Sequence, residues 1–428
     1  MSLKAGFGSS TVQLTDEMLP TFGEHYNSIH DLPSVKVMLL EAGESFALVS
    51  VGLVMGDKRD FLAAAQSELQ IPADHIIIHL QHILATPHYE AADTPEAWAA
   101  HHREPVTPED AEVFWKRDQA IHGAYLTAVR EASRQARERL CPAKLGVAAA
   151  HADVTVNRVV HTKQGWWQGV NQDGETDRSV YCLRVGDESG NTLGLVFNVN
   201  VAPGCLEFSE TGGGRAISAD LAGASERFVE EQLDGGAVAM YTTGATGDQW
   251  QALRARLDYL TPDGEQKVRD LHETGFDLVE ILGTRLGEQV VKTTLTIKTE
   301  ELESLQFSQA SFFYPHQNVL DADFRAPALH CRYELDGKDE AGVALLRMGD
   351  AVVVFCGSEM NVSALRQLRE NAHYSKLWLV EFSTVGGGYM PPADFYDRVT
   401  FQSLKSHYGK GTAEHWVTDV AQLLSERR

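Results

Sequence analysis

The chain has 428 residues, with 37 Lys plus Arg against 60 Asp plus Glu, and a formal net charge of −23. Such a charge is repelled by nucleic acid and by anionic membranes, which argues against either as a partner and leaves solubility as its plain meaning. The apolar fraction of 43% and the charged fraction of 23% are those of a globular protein, long enough for one large α/β unit or several smaller domains.

Apolar runs rich in Val and Ile at Val35–Leu40, Phe46–Val51 and His75–Leu80 predict strands buried on both faces. A helical pattern covers Asp60–Leu69, and a long one covers Asp110–Leu140, closed by Cys141-Pro142. Strand Thr192–Val199 follows, then a helix over Ser218–Leu233 that starts with good capping residues and ends before Gly235-Gly236. Next come a strand at Ala237–Thr243 and a helix at Arg269–Arg285, then strands at Val290–Thr299, where apolar residues alternate, and at His330–Leu335. The last predicted elements are strand Ala351–Phe355, helix Asn361–Asn371 and strand Lys376–Glu381. Strands alternating with helices imply an α/β fold. The expected form is a mostly parallel central sheet with helices on both faces and a more β-rich C-terminal lobe. Residues 1–428 read as one compact unit, with a soft lobe boundary near 285–300.

The five cysteines, Cys141, Cys182, Cys205, Cys331 and Cys356, are scattered and form no CxxC pair, so neither a zinc ribbon nor a disulfide framework is indicated. Met1 to Gly6 has no charged-then-apolar leader. No apolar run approaches the roughly 18–20 residues that span a bilayer. A cytoplasmic location is the expectation.

In open α/β sheets, ligands bind beyond the carboxyl ends of the strands. Four runs deliver polar residues there: His82, Asn200, Asp248 and Glu359. Each has a plain structural reading as well. A histidine at a strand end is often a satisfied core residue, and Asp248 follows a glycine turn whose backbone it can bond. Glu359 precedes a helix whose expected N-cap is Asn361, where negative charge favours the dipole. Their convergence on one edge is what makes a candidate site.

The chain resembles the neutral/alkaline (non-lysosomal) ceramidase family, especially its shorter bacterial members. The resemblance runs from Ala5-Gly6 to about His415. Residues 72–88 resemble the segment carrying a His-Thr-His-Ser-Gly-Pro motif, and Pro142-Ala143-Lys144-Leu145-Gly146 and Asn157-Arg158 resemble the next landmarks. Ile217-Ser218-Ala219-Asp220-Leu221-Ala222-Gly223-Ala224, Gly247-Asp248 and Gly388-Tyr389-Met390-Pro391 follow in the family's order. The resemblance implies an α/β hydrolase that cleaves the amide of N-acyl sphingoid lipids with a zinc ion. Such an ion polarises the carbonyl and activates a nucleophile.

The residues implied by the resemblance are only partly present. His82 matches the first zinc-binding histidine, and Glu359 the zinc-binding glutamate, in a local pattern one residue longer than the family's. Arg158 matches the substrate-anchoring arginine. The second histidine of the motif falls on Leu84, the next zinc-binding histidine on Asn200, the tyrosine ligand on Phe401, and the nucleophilic serine on Trp250. Two retained ligands are too few for a tight zinc site, which needs three or four. His88, six residues past His82, would complete a set of His82, His88 and Glu359 with an open position, and Glu90 is nearby; His79 points to the opposite strand face from His82. His101-His102 reads as a solvated pair. Trp166-Trp167 reads equally as a stacking platform or as core. Gly212-Gly213-Gly214-Arg215 reads as a flexible loop rather than an anion site. No Gly-x-Ser-x-Gly elbow is present.

Together these point to a ceramidase-like hydrolase acting on an amide or ester bond in a small or lipid-like N-acyl substrate. Its catalytic candidates are His82, Arg158, Asp248 and Glu359, and its pocket candidates Asn200, Trp250 and Phe401. The alternative is a catalytically inactive ceramidase-like protein that binds a ligand or partner, so whether the chain is an enzyme stays open at this point.

Overall fold

The computed structural model describes residues 2–102, 105–233, 236–261, 263–302, 304–372 and 374–426. Its central feature is an eight-stranded sheet. In spatial order the strands are Val238–Thr243, Thr192–Val199, Ser179–Asp187, Cys141–His151, Lys4–Thr11, Ser34–Ala42, Glu44–Val51 and Ile76–Leu80. The mixed α/β class is as expected. Parallel pairing joins Thr192–Val199 to Val238–Thr243 and Glu44–Val51 to Ile76–Leu80. The inner strands pair antiparallel. The expectation of a mostly parallel sheet therefore applies to its two ends. The physical reason is local: Ser34–Ala42 and Glu44–Val51 are joined through Gly43 alone, at φ 82°, and so short a link forms only an antiparallel hairpin. The apolar runs look like parallel strands because both faces of the sheet are covered whatever their direction.

One cover is the helix Pro108–Glu138, capped by Thr107, whose side chain accepts from Asp110 N at 3.1 Å. It packs directly on strand Lys4–Thr11, where a Cβ on Gly6 or Gly8 would lie 2.0 Å from Ala136 O or 1.9 Å from Ala132 O. Helices Asp220–Gln232 and Thr274–Thr296 pack together over another part. Residues Val290 to Thr296 belong to the second of these helices, not to a strand. Buried Leu282, Leu286, Val290 and Thr294 recur every four residues along it, and this helical stripe overrides the local Val/Thr alternation. The helix starts at Thr274, since Arg269 and Asp270 lie in strand Gln266–Asp270. Gly235 of the expected glycine stop lies outside the described residues.

The C-terminal part is β-rich, with a four-stranded sheet of Leu305–Val319, Tyr333–Met348, Ala351–Cys356 and Lys376–Val380. The strand expected from His330 begins at Tyr333. The last two strands pair in parallel around helix Val362–Ala372.

The central sheet curls until distant strands face each other. Lys36 Nζ donates to Ala239 O at 2.7 Å, Ser50 Oγ to Tyr241 O at 3.1 Å, and Thr243 Oγ1 to Gln81 O at 2.6 Å. Beyond Val380 the chain enters this gap: Glu381 N donates to Thr243 O at 2.9 Å, Leu80 N to Phe382 O at 3.3 Å, and Ser383 N to Cys356 O at 2.9 Å. The carboxyl ends of strands from both sheets thereby meet at one place. Among the described residues no helix is long and apolar enough to cross a membrane, and all five cysteines are free.

Candidate functional site

Arg158 lies on strand Thr155–Thr162, where the pairing with Gly165–Asn171 slips between Asn157 and Val159. A bulge of this kind re-aims one side chain. The Arg158 guanidinium is buried, and Nη2 donates to Gly247 O at 3.0 Å, Tyr389 OH at 3.0 Å and Glu359 Oε2 at 3.4 Å, while Nη1 donates to Gln168 Oε1 at 3.4 Å. Glu359 Oε2 also accepts from Thr246 Oγ1 at 3.5 Å. The side chains of Arg158 and Glu359 keep only 8% and 9% of their exposure, so the pair is almost entirely enclosed. Burial pushes the Tyr389 hydroxyl well above its usual range, against the pull of Arg158, so it stays a neutral phenol.

His82 closes one side. Its backbone is in the left-handed region, φ 58°. Its ring stacks on Phe382 at 4.1 Å, and Nδ1 lies 2.8 Å from Val54 O. A carbonyl accepts only, so Nδ1 carries the hydrogen and Nε2 is left with a lone pair. Burial lowers the His82 pKa, with Glu359 opposing, so the ring is neutral at neutral pH. His79 is a core residue: its Nδ1 meets Glu381 O at 2.9 Å, its Nε2 accepts from Thr243 N at 3.3 Å, and burial brings its pKa down to about 3.

Glu381 is a site residue that the sequence reading did not single out. It is fully buried; Oε2 accepts from Thr246 Oγ1 at 2.6 Å and from Thr246 N at 3.2 Å, and Oε1 from Met360 N at 2.6 Å. Burial, with the nearby charge of Glu359, raises its pKa well above the carboxylate range. The signal was present: a carboxylate ends the apolar run Lys376–Glu381. Tyr389, inside a segment that carries the resemblance, had no role assigned.

Asp248 and Asn200 face inward to the backbone. Asp248 Oδ1 accepts from Val362 N at 3.1 Å and from Gln249 Nε2 at 3.0 Å, anchoring the start of helix Val362–Ala372, and burial raises its pKa to about 6. Asn200 Oδ1 accepts from Ala245 N at 3.0 Å. Asp220, at φ 50°, spends its carboxylate on Cys205 N, Leu206 N and Leu221 N. These three shape the loops around the site.

Trp250 is buried under the Arg254 guanidinium, 4.1 Å from the ring centre, and its Nε1 has no partner among the described residues. Its strand partner is Val156, two residues before Arg158. Phe401 stands edge-on to both Tyr389, at 5.6 Å, and Trp167, at 5.5 Å. These rings form an aromatic wall beside Arg158. Trp166 and Trp167 are both half-buried, so neither is core.

The donor set does not fit a zinc ion. His88 is turned to Glu24, with Nδ1 2.8 Å from Oε1 and more than half of the side chain exposed. His101 lies 3.3 Å from Glu90. Asn200 has committed its oxygen, Phe401 has none to offer, and Glu359 is paired with Arg158. Among the described residues no group of three or more His, Cys, Asp or Glu is placed to hold a metal. His82 and Glu359 remain near each other, and His88 does not join them in a ligand set.

No protein-family model matches the chain, and no curated protein does. Solved structures do. The neutral ceramidase from Pseudomonas aeruginosa superimposes with a TM-score of 0.68 at 13% identity, over 100% of this chain and 75% of that one. The chain has the neutral-ceramidase fold. A ceramidase complexed with C2 matches similarly, with a TM-score of 0.67 at 12% identity, over 100% of this chain and 76% of that one. Both matches span the whole of this chain, so the elements described above lie within the shared fold.

Proposed function

We propose that the protein is a hydrolase of ceramidase-like fold that cleaves an amide, or an ester, in a small or lipid-like N-acyl substrate, with chemistry drawn from its own side chains. The observation that supports this most is the Arg158–Glu359 pair, almost fully buried, with the Tyr389 hydroxyl 3.0 Å from the same guanidinium. Glu359 Oε2 lies 3.4 Å from Arg158 Nη2 and is the carboxylate placed to act as general base. Water adds through oxygen to the substrate carbonyl carbon while Glu359 takes its proton. The C–N bond then breaks, and Glu359 returns that proton to the leaving nitrogen. Arg158 and Tyr389 supply the donors for the oxygen that gains charge. The neutral His82 ring offers the Nε2 lone pair at the edge of the site, and the wall of Phe401, Trp167 and Tyr389 suits an acyl chain.

One observation favours ligand binding without turnover: buried Trp250 occupies the position two residues after Gly247-Asp248, where the resemblance implies a nucleophile. Turnover assays on short-chain N-acyl amides and esters decide between the two. The hydrolase reading expects product from the wild-type protein and a loss of about 10²–10⁴-fold in E359Q, the range for a lost general base. Substrate that binds the wild-type protein and is released unchanged would leave only the binding reading.

A further inference from the structure

One buried polar group next to the site has no place in this chemistry. Asn361 is 1% exposed. It stands before helix Val362–Ala372, and its carbonyl accepts from Ala364 N at 3.0 Å and from Leu365 N at 3.4 Å. An asparagine here ordinarily turns its side chain onto the N–H groups of the first turn. Asp248 instead takes the Val362 N–H at 3.1 Å, and both Oδ1 and Nδ2 of Asn361 lack a partner among the described residues.

The place of that carboxamide is well defined. A Cβ on Gly247 would lie 3.0 Å from Asn361 Oδ1, and the carbonyl of the same glycine accepts from Arg158 Nη2 at 3.0 Å. Glu359 and Met360 form a short strand pairing with Tyr389–Met390. Met360 turns into the apolar core, and Asn361 follows this strand directly, two residues beyond Glu359. Its carboxamide oxygen lies against the glycine whose carbonyl anchors Arg158.

An amide stripped of every hydrogen bond is costly inside a protein, so a buried unpaired carboxamide calls for an occupant. It presents a donor and an acceptor side by side. The smallest group that answers both is water, and buried waters typically bind such polar groups. We propose that Asn361 holds a water molecule beside the Arg158–Glu359 pair, and that this is the water Glu359 activates. The second half rests on the hydrolase reading; the water site does not. Asn361 is then a positioning residue, acting through the water and touching no substrate.

A crystal structure of the full chain, at a resolution that locates ordered waters, tests the site directly. The expected result is an oxygen within hydrogen-bond distance of both the Asn361 carboxamide and the Glu359 carboxylate. A carboxamide bonded only to protein groups would overturn the proposal. N361L and N361S test the role. Leucine removes the polar group, so kcat should fall at least about tenfold with KM little changed, while serine, which keeps a hydroxyl and space, should recover much of it. An unchanged kcat in folded N361L would overturn the positioning role. Water in place with no turnover of any N-acyl compound would support the site and overturn the hydrolase reading instead.

Discussion

At the scale of single residues, the site combines charges of opposite fate. Glu359 has Arg158 beside it, whereas Glu381, fully enclosed, has hydrogen-bond donors and the like charge of Glu359. Its folded pKa lies above the ordinary value of 4.5. For an acid raised in this way, stability is fully present below 4.5 and is lost as pH climbs from there towards the folded value, because the unfolded chain gives up its proton first. E381Q mimics the protonated form. Its melting temperature relative to wild type should therefore rise as pH increases through the neutral range; a difference that stays flat with pH would show that Glu381 is ionised in the folded protein. The residues at the strand ends were legible because polar groups there interrupt long apolar runs. Their partners were not. Arg158 meets Glu359 and Tyr389 across 201 and 231 residues of chain, and no spacing rule reaches that far. Asn361 shows the converse: the helix start was legible, but Asp248, more than a hundred residues away, accepts from its first N–H, that of Val362.

Among the elements, most strands and helices follow from apolar periodicity and caps, and the exceptions have causes. Val290 to Thr296 alternates like a strand, yet it extends a helix whose buried stripe runs through Val279, Leu282 and Leu286. Strand direction was misjudged for the inner sheet because burial on both faces, not parallel pairing, produces unbroken apolar runs. Close approach of elements is another feature that composition hides. Gly8 lets strand Lys4–Thr11 lie against helix Pro108–Glu138, where an added Cβ would be 1.9 Å from Ala132 O. A methyl there must push strand and helix apart. G8A should lower the unfolding free energy by about 1–3 kcal/mol, as overpacking does, read from the midpoint of urea unfolding; an unchanged midpoint would mean that the helix sits farther from the sheet.

For the whole molecule, the decisive feature is that the curled sheet and the C-terminal sheet bring their strand ends together. The curl is held across its gap by Lys36, which is buried and reaches Glu230 at 2.6 Å, Glu226 at 3.1 Å and Ala239 O at 2.7 Å. K36M would leave Glu226 buried without its cation. Breaking such a pair costs about 3–5 kcal/mol, and calorimetry should show one weakened transition. A variant as stable as wild type would mean that the fold does not need this link. The zinc site that the resemblance implies is not matched here: among the described residues, Arg158, Glu359 and His82 stand without a metal-binding donor set.

That difference is tested most directly by measuring metal content and N-acyl hydrolysis on one preparation before and after chelation, beside E359Q. The account predicts turnover that survives chelation, no stoichiometric zinc, and loss of turnover in E359Q. One equivalent of zinc bound to the wild-type protein, with turnover that vanishes on chelation and returns with the metal, would contradict it.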